Sequence, residues 1–487
     1  MLNKSNQNGC IVLLVLSFSI FYCFPYIVGN FIYEDDYQRI YYGYAGWTAN
    51  GRPLADLIFS LISPGFGILD IYPMGQILNI FVVAYIAYLF NKKYYLGIVT
   101  SSLVAISLIC HPFYLENLAY RFDSLTMAMA IFFSACPFIV KIESIVLKFL
   151  FSTLCVFAAL SIYQISINVF LCFFSMHIII SENKYSLIEL IKKILFYASA
   201  TIFGGVTYLM SSKFFVSGTY SKNLSQPIDL SSGILTSLMK NISRVSNMND
   251  SITSGSGFNI YVMPFIIIFF ISLLSLVIKN RRNASSLFSI TISASIIALV
   301  YKGGILLLLN HPVVFPRTGM GLGGVLAFMV VVVSISIPKK KIFLLPYKTS
   351  LALMLFYFST ISYTYANSLH QQQLMQKRIT DELTEIIDYK HINDLYVSGL
   401  QNTRNKNIFN FYSNRVGDKL PVLKWLTPTY FGRWGWLLDT NLRMNGYEVY
   451  RGNESSSDRP LLKDKSNCSK TRHFNYCIEN DIMFLDF

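Results

Sequence analysis

The sequence predicts an α-helical polytopic membrane protein of about 11 transmembrane helices, followed by a small C-terminal α/β or α+β domain. Three observations predict it. Of the 487 residues, 53% are hydrophobic and only 14% are charged, where a soluble globular chain carries about 25% charged residues. The mean hydropathy is +0.47. Long apolar runs recur up to residue 366, and the rest of the chain turns polar, with 16 basic and 14 acidic residues. This composition excludes a soluble enzyme and a disordered or fibrous chain. The net charge of +14 is poor support for a nucleic-acid partner, because such proteins gather their basic residues on one wetted face.

A transmembrane helix needs about 20 apolar residues. Eleven segments qualify: 10–28, 73–90, 94–111, 124–140, 146–162, 165–180, 194–211, 260–278, 285–307, 319–337 and 349–366. The run 146–180 is too long for one span. It divides at its most polar point, Ser161-Ile162-Tyr163-Gln164, into a hairpin with a short turn. The first segment follows Lys4 and lacks a small-x-small cleavage site, so it reads as an uncleaved anchor. With a cytoplasmic N-terminus, the inner loops hold 15 basic and three acidic residues, and the outer loops before residue 367 hold nine of each. That bias is the positive-inside pattern. The odd number of spans then puts the C-terminus outside. Two domains are expected, 1–366 in the membrane and 367–487 beyond it.

The remaining elements follow in order. Pro53 to Asp70 contains an apolar stretch interrupted by Pro64-Gly65, too short to span, and reads as an amphipathic helix lying on the outer surface. The outer segment 212–259 is rich in Ser, Asn and Gly and reads as a mobile loop. GMGLGG at 319–324 reads as close helix packing. In the tail, 368–391 reads as a helix with Leu374, Ile379, Leu383, Ile386 and Ile387 on one side. Asn393 to Leu400 reads as a buried strand ended near Gly399, with Trp425, Trp434 and Trp436 in the loop-rich remainder. Cys468 and Cys477 both lie there, and an oxidising compartment would allow a disulfide between them.

The chemistry concentrates in the outer segments. The first reads Tyr33-Glu34-Asp35-Asp36-Tyr37-Gln38-Arg39, followed by Tyr41, Tyr42, Tyr44 and Trp47. Clustered carboxylates repel one another, which raises at least one pKa and produces a candidate base. Arg39 follows Asp36 by three positions, so on a helix the two are neighbours and Arg39 would hold that carboxylate ionised. Aromatic rings beside acids suit sugars, whose C–H faces stack on rings while their hydroxyls bond carboxylates. The second outer loop holds Glu116, Arg121 and Asp123 at the mouth of the next span, where ionisable residues are costly and tend to be functional. Arg317 precedes a glycine-rich helix start, and both arginines and helix N-termini favour phosphate. Together these features suggest transfer chemistry on a lipid-linked substrate that carries its own leaving group.

The strings EDDYQRIYYGYAGWTANGRPLADLI and PFYLENLAYRFDSL resemble the phage-borne serotype-converting O-antigen glucosyltransferases, the Gtr type II group. The resemblance covers most of the chain. It implies a GT-C-like integral enzyme of the bacterial inner membrane with its C-terminal domain in the periplasm. Such an enzyme takes glucose from undecaprenyl-phosphate-glucose and adds it to a sugar of the lipid-linked O-antigen. It implies a catalytic acid in the first outer loop, here Asp35 or Asp36 with Glu34 in support. Arg52 falls in the matching GRPLAD motif, and Arg121 and Asp123 in the matching second-loop motif. Arg39, Trp47, Glu116 and Arg317 join them as expected substrate contacts from charge and position. A divalent metal ion, as in some enzymes of this class, is not demanded by any feature. The alternatives are another polyprenyl-phosphate-sugar transferase acting on lipid A or protein, an oligosaccharide transporter, or an O-antigen polymerase. The last two fit less well, because most charges collect at the outer ends of the spans and 212–259 holds only Arg244 as an arginine.

Overall fold

The structure is a computed structural model that describes residues 4–63, 67–181, 185–217, 222, 226–228, 233–338, 341–397, 415–427, 435–453 and 466–486. Seven of its helices are long and apolar enough to cross a membrane: Asn6–Val28, Met74–Tyr94, Ile145–Ile162, Leu187–Phe215, Ala284–Tyr301, Pro316–Ser336 and Ile342–Lys390. The pair Ile98–Ile109 and Pro112–Ala119, bent by 52°, brings the count to eight if it is one span. The other predicted spans are helical but short, at 16 residues for Ser124–Ile139, 14 for Ile167–Ile180 and 17 for Met263–Lys279. Each of the eleven expected spans coincides with a helix, of which seven, or eight with the bent pair, are of span length and the others are shorter apolar helices.

The run 146–180 divides where its polar residues lie. One helix ends at Ile162, a 3₁₀ turn covers Gln164–Ser166, and the next helix starts at Ile167. Gln164 turns its amide back to donate to the Gly51 carbonyl at 3.2 Å and the Tyr208 hydroxyl at 2.6 Å. Among the seven span-length helices, Pro316–Ser336 is the most enclosed. Its glycines allow this: a Cβ on Gly323 would lie 2.6 Å from the Leu108 carbonyl oxygen, and one on Gly324 would lie 2.6 Å from the Cys172 Cβ. GMGLGG is thus a packing device. The first helix is tied to the last span by Tyr26, which donates to the Ser362 carbonyl at 2.9 Å, and by the Ser362 hydroxyl, which donates to the Tyr22 carbonyl at 2.9 Å.

The loop expected over 212–259 contains a 20-residue helix, Ile234–Thr253. It buries Asn241, Val245, Met248, Asn249 and Ile252, a helical spacing diluted by Ser and Asn in the sequence. Other parts of that segment lie outside the described residues.

The last span does not stop at the expected domain boundary. One helix runs from Lys341 to Lys390, so the membrane part and the tail share an unbroken backbone at 366–367. Ile379, Leu383 and Ile387 on this helix are buried, whereas Leu374 is exposed. They face a five-stranded sheet of order β2-β1-β5-β4-β3, with β1 Asp394–Val397, β2 Tyr450–Asn453, β3 Cys468–Lys470, β4 Asn475–Glu479 and β5 Ile482–Asp486. The predicted strand is β1, parallel to both β2 and β5, while β3, β4 and β5 pair antiparallel. Cys468 and Cys477 are register partners and are disulfide-bonded. Trp434 and part of the predicted strand segment lie outside the described residues.

Gly323→Ala should lower the thermal-unfolding midpoint in detergent, because the new methyl meets backbone carbonyls that have no rotamer to give. Gly205→Ala, where nothing lies within 4 Å, is the matched control and should leave the midpoint unchanged or slightly raised.

Candidate active site

Two tyrosines fix the acidic loop between two cores. Tyr33 is buried in the membrane core, donates from its hydroxyl to the Leu426 carbonyl at 3.2 Å, and meets the Tyr120 ring edge-on at 4.6 Å. Tyr37 is buried in the core of the C-terminal sheet and donates to Gln376 Oε1 at 2.9 Å. Glu34, Asp35 and Asp36 lie between these anchors, at the start of the helix Asp36–Tyr42. Gly43 ends that helix with φ +65°, a left-handed C-terminal cap that glycine adopts without strain. Glu34 itself holds φ +41°, an unfavourable conformation for a residue with a Cβ. Its carboxylate accepts the Tyr120 hydroxyl at 2.6 Å.

The three acids meet three environments. Asp35 is the open one, with its side chain 48% exposed and Arg39 Nη2 at 3.9 Å. Asp36 is fully buried; its Oδ2 accepts the Arg121 backbone N–H at 2.8 Å and its Oδ1 lies 3.7 Å from Arg39 Nη1. The predicted Asp36–Arg39 neighbourhood is present. Burial nevertheless pushes the Asp36 carboxyl up to about 8, against the opposing pull of Arg39 and of the Arg121 amide, so Arg39 does not hold it ionised as expected. Glu34 is mostly enclosed, with Arg317 Nη1 at 3.6 Å.

A second layer supports the first. Asp123 accepts the Trp47 indole N–H at 2.7 Å and Arg52 Nη2 at 2.9 Å. Burial alone would raise its carboxyl, but Arg52 and Arg39 outweigh that and hold it below the usual range. Arg39 lies over the Trp47 ring at 4.6 Å. Arg52 donates its Nε–H to the Ile162 carbonyl at 2.7 Å and lies 5.4 Å from the Tyr163 ring. In the GRPLAD motif, Pro53 opens the helix Pro53–Ile62, and Asp56 clamps the preceding turn by accepting the Trp47 and Thr48 N–H groups and the Thr48 hydroxyl.

The predicted contact residues divide by accessibility. Arg317 keeps 24% of its side chain exposed, with Glu116 Oε1 at 3.4 Å, while its backbone N–H donates to Glu116 Oε2 at 2.8 Å. Glu116 is buried beneath it. Arg121 is buried, and its guanidinium is engaged by the Phe31 carbonyl, by Asn30 and by Asp70; the Tyr72 ring lies 4.7 Å from it. Trp47 is fully buried, so it offers no ring face at the surface. Asp56, Asp70 and Tyr120 were not singled out in the sequence. Asp56 and Tyr120 both lie inside motifs that were, Asp56 in GRPLAD and Tyr120 directly before Arg121 in the second-loop motif. Among the described residues, no group of three His, Cys, Asp or Glu side chains is arranged to hold a metal ion. Arg317 lies between Glu34 and Glu116.

Comparison with known proteins gives a family match over most of the chain. Residues 24–357, which include both outer motifs and Arg317, match the family model described as glucosyl transferase GtrII. A relative from Salmonella phage P22, described as an uncharacterized 55.3 kDa protein in the gtrB 5' region, is 27% identical over 393 residues, covering 79% of this chain and 80% of that protein. No solved structure matches.

The raised Asp36 carboxyl gives a signed prediction. The native state binds a proton there that the unfolded state has lost between its ordinary value of 3.8 and about 8, so the Asp36 contribution to stability falls as pH rises through that window and is level above it. Asp36→Asn should therefore gain stability relative to the parent as pH rises from 5 to 8, measured as the difference between paired thermal-unfolding midpoints. A pH-independent difference would exclude a proton on Asp36.

Proposed function

As the chain belongs to the glucosyl transferase GtrII family, we propose that it moves glucose from undecaprenyl-phosphate-glucose to a sugar of the lipid-linked O-antigen, on the periplasmic side of the bacterial inner membrane, with a GT-C type of architecture. The observation that carries this reading is a half-exposed carboxylate, Asp35, rigidly mounted beside Arg39 and next to Glu34, which is paired with the partly exposed Arg317. A general base has to reach the proton it removes. Asp35 meets that condition, and the buried Asp36 does not.

The reaction is a single displacement. The acceptor hydroxyl gives its proton to Asp35 as its oxygen attacks the anomeric carbon of the donor. The bond from that carbon to the phosphate oxygen breaks, and undecaprenyl phosphate leaves with the electron pair. The anomeric configuration inverts. Arg317 supplies positive charge for the developing phosphate anion, and reaching it requires the arginine to exchange part of its contact with Glu34 or Glu116 for the phosphate.

Asp35→Asn should lower kcat by roughly 10²- to 10⁴-fold, the usual contribution of a positioned base, with the protein level in the membrane unchanged; full activity would remove Asp35 from the role. Arg317→Ala should raise the donor KM or lower kcat in the same labelled-donor assay, and unchanged values of both would exclude a phosphate contact. Offering O-antigen, lipid A and protein acceptors side by side identifies which receives glucose.

A further inference from the structure

We infer that the open face of the helix Asp36–Tyr42, continued by Tyr44, is the subsite that holds the acceptor saccharide. This rests on the glucosyl-transfer reading above and adds where the acceptor lies.

The helix is divided sharply by burial. Asp36, Tyr37 and Arg39 face inward. Gln38, Tyr41 and Tyr42 face out together with the preceding Asp35, with Tyr41 38% and Tyr42 52% exposed. Asp35, Gln38 and Tyr42 follow one another at three- and four-residue spacing, which stacks them on one side of a helix. The candidate base thus heads a row that continues into an aromatic ring. Tyr44, 42% exposed, donates its hydroxyl to Gln38 Oε1 at 3.1 Å and senses the charges of both Asp35 and Arg39. Tyr41 and Tyr42 meet edge to face at 4.7 Å and 87°, so their rings hold a fixed relative orientation.

A second wall comes from the C-terminal part. The helix Gly435–Met444 packs against Asp36–Tyr42. On it, Arg443 donates to Asp439 at 2.8 Å and lies 3.4 Å from Glu448, and it senses the Tyr42 hydroxyl. The chemistry is that of a sugar site: ring faces for C–H surfaces, with an amide, a phenol and carboxylates within reach for hydroxyls. A membrane-interface belt would instead set its tyrosines against lipid-facing apolar surface. Here Tyr44 is bonded to Gln38, the helix carrying Arg443 packs against Asp36–Tyr42, and Tyr37 on the same helix is anchored in the core of the polar C-terminal part.

The test is acceptor binding and transfer by the full-length protein in detergent, with lipid-linked O-antigen as the acceptor probe. Tyr42→Ala should raise the acceptor KM by about tenfold, at the upper end of one lost aromatic contact, with the donor KM unchanged. Tyr42→Trp should restore it, and Tyr44→Phe should give a smaller acceptor-only rise. Acceptor binding measured without donor should weaken in the same order. Unchanged acceptor KM and binding in folded Tyr42→Ala overturns the subsite while leaving the transfer reading intact. Equal changes in both KM values assign the tyrosine a purely structural role and also overturn it. Tyr42-dependent binding of the acceptor without any glucose transfer by the parent protein keeps the subsite and overturns the transfer reading.

Discussion

The rest of the site depends on one constraint: two carboxyl groups, Asp36 and Asp123, are buried together with the guanidinium of Arg39. A buried charge left without a partner would cost several kcal/mol, and a buried neutral carboxyl also needs its hydrogen bonds. The compensation comes from separate stretches of chain. Arg39 comes from the first outer loop, Arg52 from the GRPLAD motif, and the Arg121 amide from the second outer loop. The EDD string, GRPLAD and the second-loop motif therefore have to meet in space, and that requirement draws three motifs from two loops into one body. Trp47 closes the arrangement by donating to Asp123 and covering Arg39. Its burial, which removes it as a surface platform for a sugar, is what makes it useful here.

The acidic loop also joins the two parts of the molecule. Tyr33 belongs to the membrane core and Tyr37 to the sheet core, and only Glu34, Asp35 and Asp36 separate them. The helix Lys341–Lys390 makes the same connection at larger scale. An acceptor contacting the C-terminal part therefore contacts a body that is already bonded to the loop carrying the acids. This gives the tail a physical role in a family match that ends at residue 357.

Much of this was legible in the sequence, for identifiable reasons. Apolar runs of near-bilayer length marked the helices, and Ser161–Gln164, the most polar point of 146–180, marked a turn, where Gln164 bonds the Gly51 carbonyl of another loop. The small strand Asp394–Val397 was visible as an apolar run bounded by polar residues. The helix Ile234–Thr253 was hidden, because its buried face includes Asn241 and Asn249, which bond backbone carbonyls and do not register as hydrophobic. The continuity of the last span with the tail helix was hidden because polarity changes at residue 367 while helical geometry does not. In the site, charge spacing found Asp36 with Arg39. It left Asp35 and Asp36 indistinguishable, since burial comes from the fold and not from adjacent letters.

The distinction between those two acids follows from Arg39. Its guanidinium places Nη1 3.7 Å from Asp36 and Nη2 3.9 Å from Asp35, and its plane is set by the Trp47 ring. A planar fork held on a buried indole has little freedom left. Asp36 accepts the Arg121 amide and lies 3.7 Å from one tine, beyond hydrogen-bond distance, while Asp35 lies 3.9 Å from the other. Arg39 and its two acids thus form a mount whose half-exposed member is Asp35. This is the geometry a base requires when it must meet a hydroxyl that arrives from outside. Glu34, strained in a left-handed conformation and bonded to Tyr120, flanks the mount and directs Arg317 toward the same opening. Acid and cation come from distant stretches of chain and meet through the Glu34–Arg317 pair, both side chains of which keep part of their surface open.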